Sequence, residues 1–263
     1  MNMTLHVSLQ LLTLLPLLWG IQSLTHDSRR LALCAGGMFG LGAYLYAHFS
    51  VDWGIGPIGS LCLASACGAL FGTVMGALFA SCRGPAFLLA SMAIQSVLFG
   101  LYYAAQPVFN GPFGRNNVPR VFDTDVEFFL LCVGVVGVFG MLLRGLESSI
   151  LLRLTRAEGD DANLFHSHGL RAGFALGSAG LLAGLGSSVG GALHAMYLRR
   201  VDPASFEMGV SFLVLAALLV FNPQAPKFEW PLKPLLAPAA GITLLIALPE
   251  VIRGFFVAHR TEI

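Results

Sequence analysis

The sequence predicts an all-α fold, a polytopic integral membrane helix bundle, and three observations carry that expectation. Of the 263 residues, 56% are hydrophobic and only 11% charged, and mean hydropathy is +0.76, outside the range of soluble domains. The apolar residues come in stretches of about 15 to 28 separated by polar joints, long enough or nearly so for a helix to cross a hydrocarbon core of roughly 30 Å. No alternation of period two, the mark of a transmembrane barrel, is visible.

About eight apolar segments follow in order, at 5–24, 31–50, 57–81, 86–105, 126–144, 170–198, 207–221 and 234–257. The first, "LHVSLQLLTLLPLLWGIQSL", has no basic n-region and no small-residue cleavage site, so it is expected to be a retained span. In the third, Gly68, Gly72 and Gly76 recur every four residues. The sixth repeats the spacing at Gly173 and Gly177, Gly180 and Gly184, and Gly186 and Gly190. Such faces let helix backbones approach closely where lipid supplies no hydrophobic drive. The seventh segment is short for a span, or re-entrant. The joints are brief and basic ("THDSRR", "SCRGP"), long and Gly/Pro/Asn-rich ("AQPVFNGPFGRNNVPRVFDTDVE"), strongly polar ("LTRAEGDDANLFHSHGLRAG") or proline-broken ("NPQAPKFEWPLKP"). Placing the strongly polar joint in the cytoplasm puts nine Lys and Arg inside against six outside, the arrangement the positive-inside rule favours.

Several chemistries can be weighed from the residues. A formal net charge of +1 with no basic run gives no reason to expect a nucleic-acid partner. The five cysteines, Cys34, Cys62, Cys67, Cys82 and Cys132, lie within or at the ends of apolar stretches without CxxC pairing, and are expected to be small buried hydrophobes. His166 and His168 beside Asp160 and Asp161 suggest a metal site, but residues two apart on a helix face different ways, so the expectation is no metal. "GSSVG" at 186–190 fits G-x-S-x-G, with Ser188 as nucleophile and His194 nearby, and defines a competing function, an intramembrane serine hydrolase. That motif needs a strand, a tight turn and a helix, whereas these residues sit in a Gly/Ala/Leu run. A third class, a non-transporting membrane scaffold, has no motif of its own. Ionisable residues are nearly absent mid-span and there is no GxxxxGK[ST] loop, so a transporter of this sequence would draw its energy from a partner.

Five segments in order resemble one family, the membrane permease subunits of the branched-chain amino-acid ABC importers. "LALCAGGMFGLGAYLYAHF" is similar to the family's "LSLGHAAFFGIGAY" through Leu31, Leu33, Phe39, Gly40, Gly42, Ala43 and Tyr44. "CRGPAFLLASMAIQS" resembles "RGLYFALLTLAFAE" through Arg83, Gly84, Phe87 and Ala93. "NGPFGRNNVPR" is similar to the external "GGPNGLSGIPR" loop at Gly111, Pro112, Gly114, Pro119 and Arg120. "LHAMYLRRVDPASF" resembles "LYAHYLGFVSPDSF" at Leu193, Ala195, Tyr197, Leu198, Val201, Pro203, Ser205 and Phe206, and "IALPEVIRGF" resembles "LLPELLRGL".

The resemblance implies a single transmembrane permease domain over 1–263 that is a transport subunit and not an enzyme. It is expected to be multi-pass in a bacterial inner membrane and of the longer of the family's two permease types. The implied partners are a second permease subunit in a heterodimer, two cytoplasmic ATPase subunits and a periplasmic substrate-binding protein. ATP is used by the partner subunits, and no cofactor is expected on this chain. The solute would be a branched-chain amino acid or a related small polar molecule. The joint at 147–170 corresponds to the family's cytoplasmic coupling segment, with Arg153, Arg156, Glu158, Asp160, Asp161, Leu164, Phe165 and Gly169 as its residues. Its amphipathic character suits a groove, with Leu151, Leu152, Leu154, Leu164 and Phe165 as knobs. The family's alanine-rich centre is here "GDDANLFHSH", where Gly159 and the two aspartates are expected to weaken helix. "THDSRR" stands where the family has "LGYAGQ". A further span usual in the family has no counterpart after "VAHRTEI", so eight crossings would leave the C-terminus external and a re-entrant seventh segment would leave it internal.

Overall fold

A computed structural model describes residues 3–147, 149–169, 171–220 and 241. The predicted eighth segment, Gly241 apart, lies outside the described residues, as do the "NPQAPKFEWPLKP" joint and the end of the chain. In chain order the helices are α1 (Met3–Gln22), α2 (Ala35–Ala47), α3 (Pro57–Leu78), α4 (Pro85–Ala104), α5 (Gln106–Phe109), α6 (Asp125–Glu147), α7 (Ile150–Asp160), α8 (Ala162–Ser167), α9 (Ala172–Leu198) and α10 (Met208–Val220). π-helical turns extend α1 (Ser23–Asp27) and α2 (His48–Asp52), and a 3-10 turn, Pro203–Phe206, precedes α10. Two short strands, β1 (Arg115–Asn116) and β2 (Arg200–Val201), pair antiparallel with Arg115 opposite Val201.

Five stretches are long and apolar enough to cross a membrane: Leu5–Thr25, Pro57–Ser81, Pro85–Ala104, Asp125–Leu146 and Ala172–Leu198. The chain is therefore a polytopic helical membrane protein. α3 and α4 each begin on a proline, whose missing N–H is one the first turn cannot use anyway. α6 opens on Asp125 and Glu127 and closes with Arg144 in its last turn, complementing its dipole. The predicted second span, 31–50, is corrected. Residues 29–34 are non-helical, and the helix starts only at Ala35, inside the bundle, and runs through its π turn to Asp52; it is not among the five stretches long and apolar enough to cross.

α9 is the axis of the bundle, with 67% of its apolar window buried against 28–50% in the other four spans. α3 runs antiparallel to it at backbone contact. A Cβ on Gly68 would strike the Ser188 side chain, one on Gly72 the carbonyl of Gly180, and one on Gly76 the carbonyl of Leu176. α1 crosses the opposite flank, where Gly186 meets the Pro16 carbonyl and Gly190 that of Thr13. Gly42 of α2 lies against the Ser188 backbone, and Gly40 packs on Phe206 and Tyr102. Small residues thus let three neighbours reach one helix, where dispersion between close-packed surfaces replaces the hydrophobic effect. One correction concerns the cysteines: Cys34 and Cys132 are buried and Cys82 partly so, whereas Cys62 and Cys67 are exposed on α3, and all five are free thiols.

The spans sort the charges between two ends. Arg29, Arg30, Arg83, Arg144, Arg153, Arg156 and Arg171 fall at the end that carries α7. Arg115, Arg120, Arg199 and Arg200 fall at the end that carries the β1–β2 ribbon.

Candidate functional site

Two polar regions interrupt the apolar body, one at mid-depth and one at the α7 end. The first exists because α2 begins inside the bundle, where the N–H groups at and just before its start have neither water nor a preceding turn to satisfy them. Side chains from α4 and α10 do so instead. Ser91 Oγ accepts from Leu33 N–H (2.9 Å), Ser211 Oγ from Gly36 N–H (2.8 Å), and Gln95 Oε1 from Gly37 N–H (2.5 Å). Gln95 Nε2 then donates to the Phe206 carbonyl (3.0 Å), and the Ser211 hydroxyl donates to Gln95 Oε1 (3.2 Å). All three side chains are buried. Each orphaned group would otherwise cost about 1–3 kcal/mol.

Gln95 lies ten residues from Pro85 and nine from Ala104, so about 15 Å from either end of α4. Its bond to Phe206 holds the head of α10 at the same depth. Glu207, the next residue, is exposed there and lines a half-open cavity of about 240 Å³ with Gln95, Ser96, Phe99 and Met208. A carboxylate facing lipid at mid-depth costs roughly 3 kcal/mol. Sequence reasoning missed both Gln95 and Glu207, the latter standing there only as the first residue of the seventh segment. The available signal was the shortness of the apolar run behind it, 208–221 before the proline-broken joint, too short to cross from a membrane surface.

At the α7 end the polar joint folds back onto the bundle. Leu152, Thr155 and Glu158, spaced by three, are the buried stripe of α7. Thr155 Oγ1 lies 2.9 Å from the Ala175 carbonyl and 3.1 Å from Ser178 Oγ of α9. Glu158 is paired at 2.7 Å with Arg30, their side chains 1% and 4% exposed. The other terminal nitrogen of Arg30 lies within reach of the carbonyls of Phe79 (3.4 Å), Ala80 (2.9 Å) and Cys82 (2.5 Å), in the α3–α4 connection. Burial lowers the Arg30 pKa from its ordinary value and the Glu158 carboxylate opposes that, so the guanidinium keeps its charge. Arg156 pairs with Asp27 (2.8 Å) and Arg29 with Asp160 (2.6 Å). "THDSRR" and "TRAEGD" are thus charge-matched partners.

The predicted coupling residues divide accordingly. Arg153 and Leu164 are exposed, as is Ile150, while Glu158, Leu152 and Phe165 point inward. The expected weakening of helix at Gly159 is corrected, because α7 runs through it to Asp160. A Cβ there would press on the Asp27 carbonyl and Ser28, so the glycine permits close approach of the first joint. The break falls at Asp161, whose carboxylate accepts from Leu164 N–H (3.1 Å) at the head of α8. Gly169 supplies the left-handed turn into α9, at φ +73°.

At the ribbon end, Gly111 and Gly114 take positive φ, and a Cβ on Gly114 would strike the Val201 carbonyl. Pro112 sits in the 3-10 turn Gly111–Phe113, and the Pro119 carbonyl accepts from Tyr46 Oη (2.8 Å). The Arg120 side chain, 5% exposed, lies over the Phe128 ring at 4.0 Å and pairs with Asp125 (2.9 Å). Arg115 pairs with Asp52 (2.6 Å), which fastens the ribbon to the π turn after α2.

The arrangement required of a nucleophile elbow is absent. Ser188 lies inside an unbroken helix, its Oγ has no hydrogen-bond partner, and the His194 ring packs against Phe39 and Phe206. Among the described residues no three His, Cys, Asp or Glu side chains converge to hold a metal, and His168 Nδ1 is 2.8 Å from the Leu164 carbonyl.

Spans packed on a glycine-rich axis, with short helices starting inside the bundle, define a helical membrane protein built around internal polar groups. A family model described as the branched-chain amino acid transport system permease component matches residues 24–220, and the chain belongs to that family. No curated protein and no solved structure matches it.

Proposed function

We propose that this chain is the membrane-spanning subunit of an ATP-driven ABC importer for branched-chain amino acids or related small polar solutes. It is of the longer of the family's two permease types and sits in the bacterial inner membrane with the α7 end in the cytoplasm. A second permease subunit completes the path, two cytoplasmic ATPase subunits drive it, and a periplasmic binding protein supplies the solute. The observation that carries this reading is α7–α8, an amphipathic segment outside the spans, ion-paired to the first joint, with Ile150, Arg153 and Leu164 turned outward. Such a segment can seat in a groove of an ATPase subunit and pass on its rigid-body motion. The sequence has no phosphate-binding loop of its own, which supports energy arriving from a partner.

Co-purification tests this directly. Wild-type complexes should contain an ATPase subunit and take up solute with ATP, and the double variant Ile150→Asp/Leu164→Asp should lose the ATPase subunit while remaining folded. Wild-type complexes that never contain an ATPase, or uptake unaffected by the double variant, would sink the proposal.

A further inference from the structure

We propose that the cavity between α4 and the head of α10 is part of the solute path, and that Glu207 receives the ammonium end of a zwitterionic solute there. The proposal rests on the permease reading and names a site within it. Glu207 is an exposed carboxylate at the depth of Gln95, midway along a span, and pairs with no cation among the described residues. Lipid is a poor neighbour for it, so this face is turned toward water and the second permease subunit. The Gln95 amide is neutral and holds Gly37, Phe206 and Ser211 through Oε1 and one Nε2 hydrogen, and Glu207 is the one charged side chain among the residues lining the cavity, so it is the group able to meet a ligand's charge. Around it, Ser96 offers a hydroxyl and Phe99 and Met208 an apolar wall. One carboxylate beside apolar surface suits a small molecule with an ammonium group and an aliphatic part. It does not suit a bare divalent cation, which needs several oxygen ligands. The cavity, about 240 Å³, is of a size for a small solute.

Thiol labelling tests the site without requiring transport. In the full chain in nanodiscs, with Cys62, Cys67 and Cys82 replaced by serine, Met208→Cys should react with water-soluble methanethiosulfonates. After correction for intrinsic reactivity, the cationic reagent should react about tenfold faster than the anionic one. Glu207→Gln should bring that ratio close to one. A thiol at 208 that does not react, or a ratio indifferent to Glu207→Gln, overturns the proposal. If Met208→Cys misfolds, the exposed Ser96→Cys carries the same comparison. Uptake of labelled leucine by the reconstituted complex then separates the two levels. Loss of about tenfold or more in Glu207→Gln, with ATP hydrolysis and subunit composition retained, supports the site, and unchanged leucine uptake overturns it. Charge-selective labelling in a complex that shows no ATP-dependent leucine uptake keeps the site and counts against the importer reading.

Discussion

Gly72 and Gly137 both sit inside long apolar helices, yet an added methyl group should affect them in opposite directions. At Gly72 the methyl would enter the Gly180 carbonyl, so Gly72→Ala must push α3 off α9 and should cost about 1–3 kcal/mol or more, seen as a lower melting temperature in detergent. At Gly137 nothing lies within 4 Å, and Gly137→Ala should be neutral or stabilising by up to about 1 kcal/mol. Equal losses at the two sites would mean that the close α3–α9 contact is not what holds these helices. The buried pair admits a similar contrast. Glu158→Ala leaves Arg30 charged beside backbone carbonyls and should cost about 3–5 kcal/mol, while Arg153→Ala, on an exposed side chain, should lie within about 0.5 kcal/mol of wild type. Four-residue glycine spacing is plain in the sequence, but the partner each glycine meets is not, because α3 and α9 carry the same spacing and only three-dimensional packing selects the register.

α7 was legible as an amphipathic helix, since its apolar and charged residues alternate at helical period. Which stripe faces the bundle was not, because a charged residue, Glu158, lies on the buried side. Only its pairing with Arg30, 128 residues away in the chain, makes that burial affordable. The ribbon gives an element-scale prediction of pH dependence. The Arg115 hydrogen bond, and then that of His48, hold the Asp52 carboxyl below the ordinary aspartate range. A depressed folded pKa stabilises above the unfolded pKa and is lost as pH falls through the folded one, so this latch should release below about pH 4. Amide exchange at residues 48–56 and 115–118 should be slower in wild type than in Asp52→Asn at neutral pH, with the difference fading in acid. A difference independent of pH would remove the carboxylate from the explanation.

At the scale of the whole molecule, hydropathy located all five long spans among the described residues, because burying about twenty apolar residues in lipid is a signal carried by composition alone. It failed at α2, whose run looks like a span but starts within the bundle, as does that of α10, already short for a span in the sequence. Their starts depend on side chains of other helices: Ser91, Gln95 and Ser211 for α2, and Gln95 for α10. Glu207 was overlooked for the same reason. Polar residues that serve another segment's backbone carry no local period, so a pass along the chain has nothing to register.

The matched charges of residues 27–30 and 156–160 also set a rule for recombination. Each stretch supplies the counter-charges the other needs. A chimera whose 147–170 segment has no carboxylate at position 158 should inherit an unpaired Arg30 and accumulate poorly in the membrane, and one whose 25–30 segment has no cation at position 30 should strand Glu158. Exchanging both together should restore wild-type levels. The two stretches, far apart in the gene, would then behave as a single inherited unit.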